Sequence, residues 1–276
     1  MRSAETAKRA WEKFKALSKE VSVASSSPVV SPTLNGSVRG RLFVSHNEKT
    51  GLSVNVGMVG SCRPTRECSR YCYGLWGPAS FPLAVRRYAE NLNCFALLAR
   101  APIAELEFEA DVLAARTVFL GQDFIRWNGV GDLVPGAVRL ISVFASRHPG
   151  IQVWVSTRKP ELAARIEQHE SVHLMLSSDR STKPVDLVAM RALIKARSPY
   201  AFLAYTQLGP DDVPPPDVSI VFLEHCGSKR AGWEPDPRAC AATISMELAS
   251  SRAHANACAD CRRCFDVKAR RAGRRR

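Results

Sequence analysis

The sequence of 276 residues lacks the segments that mark several large classes of protein. No apolar run approaches the roughly 18 residues that a membrane-spanning helix needs, and residues 1–20 contain no apolar core of a secretory signal. There is also no GxSxG element, no Walker loop and no complete dinucleotide-binding fingerprint. We therefore expect a soluble, cytoplasmic protein with no membrane association.

The body of the chain has almost no excess of charge of either sign, although the formal net charge of the whole chain is +13. Residues 1–20 carry +3 and residues 262–276 carry +7, which leaves only +3 for all other residues. A basic tail over residues 268–276 can bind the phosphates of nucleic acid by counterion release. The alternative is a disordered end that only adds solubility.

Apolar segments with little alternation predict strands that are covered on both faces, as in a parallel sheet. Segments with helical spacing alternate with them, which predicts an α/β fold whose active site lies at the carboxyl ends of the strands. The predicted strands are 41–45, which forms a hairpin with 53–57, and then 123–128, 151–156, 172–177, 200–206 and 218–224. The predicted helices are 5–20, 81–98, 103–115, 135–147, 160–168 and 184–196.

Seven of the nine cysteines fall into two clusters, a pattern that metal ligation explains better than disulfides in a cytoplasmic chain. In the first cluster, Cys62, Cys68 and Cys72 have the spacing C-x5-C-x3-C. Three thiolates can bind three corners of an iron–sulfur cubane and leave the fourth iron open to another ligand. A zinc site completed by a histidine and buried structural cysteines are the alternatives.

The second cluster consists of Cys240, Cys258, Cys261 and Cys264, and its last three cysteines have the spacing C-x2-C-x2-C that ferredoxin-like iron–sulfur sites use. Cys240 would supply the fourth thiolate of a closed centre, and Cys226 could replace it. Tetrahedral zinc is again the alternative metal.

A parallel β/α body with a three-cysteine loop after its first barrel strand resembles the radical SAM superfamily. The resemblance implies a partial (βα)6 barrel, a [4Fe–4S] cluster on the first cluster of cysteines, and S-adenosylmethionine on the open iron. The usual spacing in that superfamily is C-x3-C-x2-C with an aromatic residue before the last cysteine, which Tyr71 provides here. Gly131 and Asp132 resemble the turn that binds the methionine amino group, while Ser177, Ser178 and Asp179 lie where the ribose is contacted. Asp132 could instead cap the helix predicted at 135–147.

More narrowly, the chain resembles the phage gene product 88 family and its radical-SAM-like relatives over about residues 50–265. The resemblance lies in the C…C…CY block, the R-x-x-G-x-GD block at 126–132, the strand end at 155–159 and the terminal C-x2-C-x2-C-F. A phage origin would place the protein in the host cytoplasm. The division implied is an N-terminal helix and linker at 1–37, a radical SAM-like core at 38–225, a cysteine-rich metal-binding extension at 226–267 and the basic tail.

Two hypotheses follow. In the first, the protein is a radical SAM-like enzyme that cleaves S-adenosylmethionine with an electron from an external donor and acts on an unknown substrate, with nucleic acid or a nucleotide as the first candidate. The second centre would then be an auxiliary cluster that anchors substrate, relays an electron or closes the barrel. In the second hypothesis, the protein binds nucleic acid without catalysis and zinc holds its cysteines together.

Overall fold

The computed structural model describes most of the chain. The predictions for the linker, for Cys226 and Cys258, and for the basic tail lie outside the described residues. The described residues are 5–6, 8–9, 11–13, 15–16, 41–47, 51–75, 77–209, 211–223, 236–240 and 261–267.

A seven-stranded sheet forms the centre of the fold, and its strands lie side by side in chain order. The first two strands form an antiparallel hairpin, and each later neighbouring pair is parallel. The predicted mixed α/β architecture with a mainly parallel sheet is therefore confirmed. The strands are β1 Val44–Asn47, β2 Gly51–Val54, β3 Phe124–Trp127, β4 Gln152–Thr157, β5 Val172–Ser178, β6 Ala201–Gln207 and β7 Ile220–Leu223.

Helices connect the parallel strands. The helices are α1 Met58–Ser61, α2 Arg66–Tyr71, α3 Pro82–Leu98, α4 Ile103–Phe119, α5 Pro135–Arg147, α6 Pro160–Ala163 and α7 Pro184–Arg197, with single 3₁₀ turns at Tyr73–Leu75 and Gly77–Ser80. The described residues between 5 and 16 are also helical, and Trp11 packs beside Met58 and Leu75.

All four long helices pack on one face of the sheet. Right-handed crossovers produce this arrangement when the strands follow one another in one direction. Phe95 of α3, Leu113 of α4 and Ile141 of α5 join Trp127 of β3 in a core that is fully buried. Burial of this apolar area is the main force that holds helices and sheet together.

The opposite face of the sheet is covered by the segment 261–267. Phe265 is 1% exposed and stacks on Phe124 with ring centroids 4.2 Å apart. Arg262 pairs with Asp123, immediately before β3, at 2.8 Å. The segment is thus fixed toward the amino ends of the strands, and no described residue of this segment covers the carboxyl ends.

Three predicted elements have limits that differ clearly from the structure. Helix α4 ends at Phe119, four residues beyond its predicted end at 115. The hairpin strands begin and end about three residues from the predicted limits, because the buried amide of Asn91 binds the backbone of Phe43 and Asn55 and replaces strand pairing there. Helix α6 ends at Ala163 and not near residue 168, and the guanidinium of Arg197 binds the carbonyl oxygens of Ala164 and Ile166 just beyond its end.

Candidate metal and ligand site

A cavity of about 340 Å³ lies at the carboxyl ends of the parallel strands. The loop after β2 forms one wall, and the loops after β3, β4 and β5 form the others. The polar and sulfur-bearing residues that line it include Cys62, Cys68, Cys72, Arg126, Asn128, Asp132, Ser156, Arg158, Ser177, Asp179 and Thr206. The edge of the sheet at which the sequence predicts a site therefore carries a cavity.

The structure brings the three cysteines of the first cluster to this one cavity. Thr65 is the N-cap of α2, and its Oγ1 accepts a 3.0 Å hydrogen bond from the amide of Cys68. Cys72 follows four residues later at the C-cap, so the two cysteines lie on the same side of the helix. The thiol of Cys72 also lies 3.5 Å from the Met58 sulfur.

Burial and mutual proximity set the ionisation of these thiols. Burial raises the pKa of Cys62 to about 12, and the nearby Asp132 carboxylate adds to that shift. A hydrogen bond with Cys72 lowers the pKa of Cys68 to about 7 and raises the pKa of Cys72. A bound cation is the charge that would stabilise all three as thiolates in this setting.

Asp132 is buried at the cavity wall. Its Oδ1 accepts hydrogen bonds from Thr157 Oγ1 at 2.5 Å and from the Leu133 amide at 2.7 Å. Burial nevertheless raises the pKa of Asp132. Helix α5 has Val134 as its N-cap, with no capping hydrogen bond from a side chain, so the alternative assignment of Asp132 as that cap is wrong.

Gly131 allows the loop after β3 to pass close to the loop that carries Cys62. Its φ is +82°, and a Cβ at this position would lie 2.2 Å from the carbonyl oxygen of Val56. The adjacent Asp132 amide donates to Ser61 Oγ at 3.1 Å, and Ser61 Oγ donates to the Gly57 carbonyl at 2.6 Å. These contacts fix the position of the first cysteine of the cluster relative to the acid.

The carboxylate of Asp179 joins three segments around the cavity. Its Oδ2 accepts a 2.6 Å hydrogen bond from Thr65 and pairs with Arg158 at 2.9 Å. Its Oδ1 accepts hydrogen bonds from the amide and the hydroxyl of Ser181, both at 2.8 Å. Although burial acts in the opposite direction, the Arg158 guanidinium holds the pKa of Asp179 below its usual value.

The sequence also predicts Ser178 and Tyr71 as cofactor contacts. The hydroxyl of Ser178 donates to the Ala204 carbonyl of the neighbouring strand at 2.9 Å, whereas Ser177 lines the cavity. Tyr71 ends α2, and its side chain lies outside the described part of the structure.

The second cysteine cluster is described in part. Cys264 is buried, and Cys240 is partly buried against the same apolar cluster around Phe265. Cys261 is described as well, while Cys258 lies outside the described residues.

The described cysteines of the second cluster, Cys240, Cys261 and Cys264, lie toward the amino ends of the strands, away from the first cluster. The Arg262–Asp123 pair places the segment 261–267 at the amino end of β3, whereas Cys62, Cys68 and Cys72 line the cavity at the carboxyl ends. The two cysteine clusters are thus separated along the strand direction.

Within the described residues, no group of three or more His, Cys, Asp or Glu side chains is arranged to hold a single metal ion. The described lining of the cavity contains no histidine. The three thiols and the acids thus surround a common space without converging on one point.

Sequence reasoning gave no role to Ser61, Thr65 or Arg126. The role of Thr65 could have been found from the sequence, because threonine directly before a helix is a common N-cap. Arg126 stands out as the one charged residue of β3, Phe124–Trp127. Ser61 carries no comparable signal, since its contacts join loops that are far apart in sequence.

Fold and site together define a mixed α/β protein with a three-cysteine cavity at the carboxyl ends of a mainly parallel sheet. The family model described as Gene product 88 matches residues 29–267. The chain therefore belongs to the Gene product 88 family. No curated protein and no solved structure matches it. Across the described residues, no helix combines the length and apolarity needed to cross a lipid bilayer.

Proposed function

We propose that the protein is a radical SAM-like iron–sulfur enzyme. The observation that carries the proposal is the presence of Cys62, Cys68 and Cys72 on the wall of one cavity at the carboxyl ends of a parallel sheet. Polar groups at that edge act on substrates in parallel α/β barrels and sheets alike.

The donor set fits a cubane cluster. Thiolates are the protein ligands of iron–sulfur clusters, and in a cubane each thiolate binds a different iron atom. A structural zinc ion instead requires four ligands around one point, whereas the first cluster supplies three thiolates. Cys62, Cys68 and Cys72 would hold the cluster.

The other side chains of the cavity support an open fourth iron. The carboxylate of Asp132 accepts hydrogen bonds from Thr157 and the Leu133 amide. The carboxylate of Asp179 is held by Arg158 and Thr65. Glu67, the third acid of the described lining, pairs with Arg180 at 3.3 Å. With all three acids engaged and no histidine in the described lining, an exogenous ligand would occupy the remaining corner.

The positions of Gly131 and Asp132 support a site for S-adenosylmethionine. Asp132 lines the cavity beside the Cys62 loop, where a buried carboxylate would attract a ligand ammonium group. The cavity near Ser177 and Asp179 would accept the ribose hydroxyls. Ser178 acts on this region only by fixing β5 to β6.

The sheet supports a partial barrel. Its six parallel strands lie in chain order with the long helices on one face, which is the arrangement of a β/α barrel and differs from a doubly wound sheet, where the strand order reverses. The other face, which would be the barrel interior, bears the cavity and the Phe265 segment.

When bound at Cys62, Cys68 and Cys72, such a cluster would supply one-electron reduction of S-adenosylmethionine by an external donor, with methionine and a hydrogen-abstracting 5′-deoxyadenosyl radical as the products. The residues of this chain would bind and orient the two ligands and exclude water. The second cysteine cluster, at the far end of the sheet, would hold an auxiliary cluster or zinc.

The test is the formation of 5′-deoxyadenosine from S-adenosylmethionine and dithionite by protein reconstituted with iron and sulfide under anaerobic conditions. Cys68→Ala is expected to abolish the product. Cys94→Ala is the matched control. Cys94 lies in α3, where its thiol is buried against the carbonyl of Arg41, and it does not line the cavity.

Product formation by both the wild type and Cys94→Ala, and not by Cys68→Ala, would support the proposal. A fully loaded cluster that yields no 5′-deoxyadenosine would contradict it. A colourless protein with stoichiometric zinc would instead favour the zinc-containing nucleic-acid-binding protein.

A further inference from the structure

Arg126 is a cation of the cavity that lacks a counter-ion among the described residues. It lies on the open face of the sheet in β3, and its guanidinium stacks on the Trp154 ring at 4.6 Å. Its Nε is buried and has no hydrogen-bond partner in the described structure. Stacking on an aromatic ring fixes the plane of the guanidinium but leaves its in-plane donors available.

The other arginines of the cavity are already paired. Arg63 forms an ion pair with Glu161 at 3.1 Å, and Arg158 forms one with Asp179 at 2.9 Å. Arg126 thus differs from both in having its positive charge uncompensated by a described carboxylate. A partly buried, uncompensated charge is unfavourable unless a ligand of opposite charge completes it.

Asn128 is a second unsatisfied group on the same wall. It is 4% exposed, and neither its Oδ1 nor its Nδ2 has a hydrogen-bond partner among the described residues. Its φ of +59° lies in the left-handed region. A strained backbone and a buried amide without partners are features that concentrate at ligand sites.

Gly129 leaves room for the Arg126 guanidinium and for the amide of Asn55. A Cβ at this position would lie 3.3 Å from Cζ and Nη1 of Arg126 and 2.8 Å from Oδ1 of Asn55. Any larger residue would therefore press on the guanidinium and on the amide that fixes the Val130 backbone.

We infer that Arg126 and Asn128 form an oxyanion subsite for the substrate, so that the substrate carries a carboxylate or a phosphate group. The planar guanidinium donates two parallel hydrogen bonds to the oxyanion, and the Asn128 amide donates a further one. The inference rests on the proposed function in one respect, namely that the ligand held there is the substrate of the reaction at the cysteine cluster.

The test is isothermal titration of the full-length protein with inorganic phosphate and, separately, with succinate at constant ionic strength. Binding of one or both anions is expected. Arg126→Gln is expected to weaken the affinity by about 10- to 100-fold, because the loss of hydrogen bonds to a charged group changes binding by about that factor. Preference for phosphate would indicate a phosphorylated substrate, and preference for succinate a carboxylate.

Arg63→Gln is the matched control, because it removes the same charge from the same cavity but from an arginine that is already paired. It is expected to bind the anions as the wild type does. Equal losses in Arg63→Gln and Arg126→Gln would overturn the inference, because the anion would then respond only to the overall potential. Wild-type protein that binds neither anion would overturn it as well.

Arg126→Lys and Asn128→Ala keep the test decisive if Arg126→Gln does not fold. Lysine retains the charge and loses the two-pronged geometry, so each of these variants is expected to bind less tightly than the wild type; unchanged affinity in both would contradict the subsite. Failure of the proposed function is a separate result, because 5′-deoxyadenosine formation requires the cluster and the anion titration does not.

Discussion

The hydroxyl of Thr65 donates a 2.6 Å hydrogen bond to Oδ2 of Asp179, a residue 114 positions away in sequence. The Thr65 Oγ1 atom also accepts a 3.0 Å hydrogen bond from the amide of Cys68. One side chain thus joins the start of the cysteine helix to the loop after β5. The placement of Cys68 at the cavity depends on this link.

Thr65→Val removes both hydrogen bonds with little change in volume. We expect the free energy of unfolding to fall by about 1 kcal/mol, the usual effect of losing an N-cap, and iron binding to weaken by about tenfold or more through loss of ligand positioning. Urea denaturation and iron analysis measure the two effects. Thr65→Ser retains the hydroxyl and should behave like the wild type; equal iron binding by the valine and serine variants would show that the link does not position Cys68.

The unequal ionisation of the thiols predicts an order of alkylation in the metal-free protein. Cys68, with its pKa lowered to about 7 by the hydrogen bond with Cys72, should react with iodoacetamide first because the thiolate is the nucleophile. Its rate should rise with pH through about 7. Cys62 and Cys94, with pKa values raised by burial to about 12 and about 11, should remain unlabelled at neutral pH.

Peptide mapping by mass spectrometry after short exposure to the reagent gives this order. Labelling of Cys62 ahead of Cys68 at pH 7 would contradict the arrangement of the three thiols.

Gly131→Ala should destabilise the fold strongly. The added methyl would collide with the Val56 carbonyl at 2.2 Å, at a φ of +82° that alanine rarely adopts. We expect the free energy of unfolding to fall by about 2 kcal/mol or more. Gly150→Ala is the control, since a Cβ there meets no atom within 4 Å, and its effect should stay under about 1 kcal/mol. Similar denaturation midpoints for the two variants would be inconsistent with the close approach of the loops after β2 and β3.

Phe265→Ala tests whether the C-terminal segment belongs to the folded core. Phe265 is 1% exposed and stacks on Phe124, so its removal should lower the free energy of unfolding by about 3–5 kcal/mol. Phe119→Ala removes the same side chain from a position that is 89% exposed and should leave the unfolding midpoint nearly unchanged. A similarly small effect of Phe265→Ala would show that the segment does not pack on the sheet.

Much of the fold could be predicted from the sequence because its periodic signals are local. The limits of α5, Pro135–Arg147, agree with the prediction, since a proline at the start and an amphipathic pattern mark them. The hairpin limits were less accessible, because they depend on the contact between Asn91 and the backbone of Phe43 and Asn55, and that contact is distant in sequence.

The candidate site shows the same division. The spacing of the cysteines is a local signal, and the structure brings Cys62, Cys68 and Cys72 to one cavity. In contrast, a strand that is apolar on both faces does not reveal which residues face the cavity. The sequence therefore predicts Ser177 and Ser178 alike as ligand contacts, whereas Ser177 lines the cavity and Ser178 binds the neighbouring strand. The sequence also allows Asp132 to be a helix cap. Its hydrogen bond with Thr157 joins two loops that are separate in sequence, so the sequence does not reveal that contact.

The central claim is that three thiolates hold an iron–sulfur cluster with one iron open to S-adenosylmethionine. The most direct measurement is the visible absorption spectrum of anaerobically purified protein, recorded with iron and sulfide analysis before and after addition of S-adenosylmethionine, for the wild type and for Cys62→Ala. The account predicts a brown protein whose charge-transfer band changes with S-adenosylmethionine, and loss of that change in Cys62→Ala. A spectrum that does not respond to S-adenosylmethionine, or that responds equally in Cys62→Ala, would contradict it.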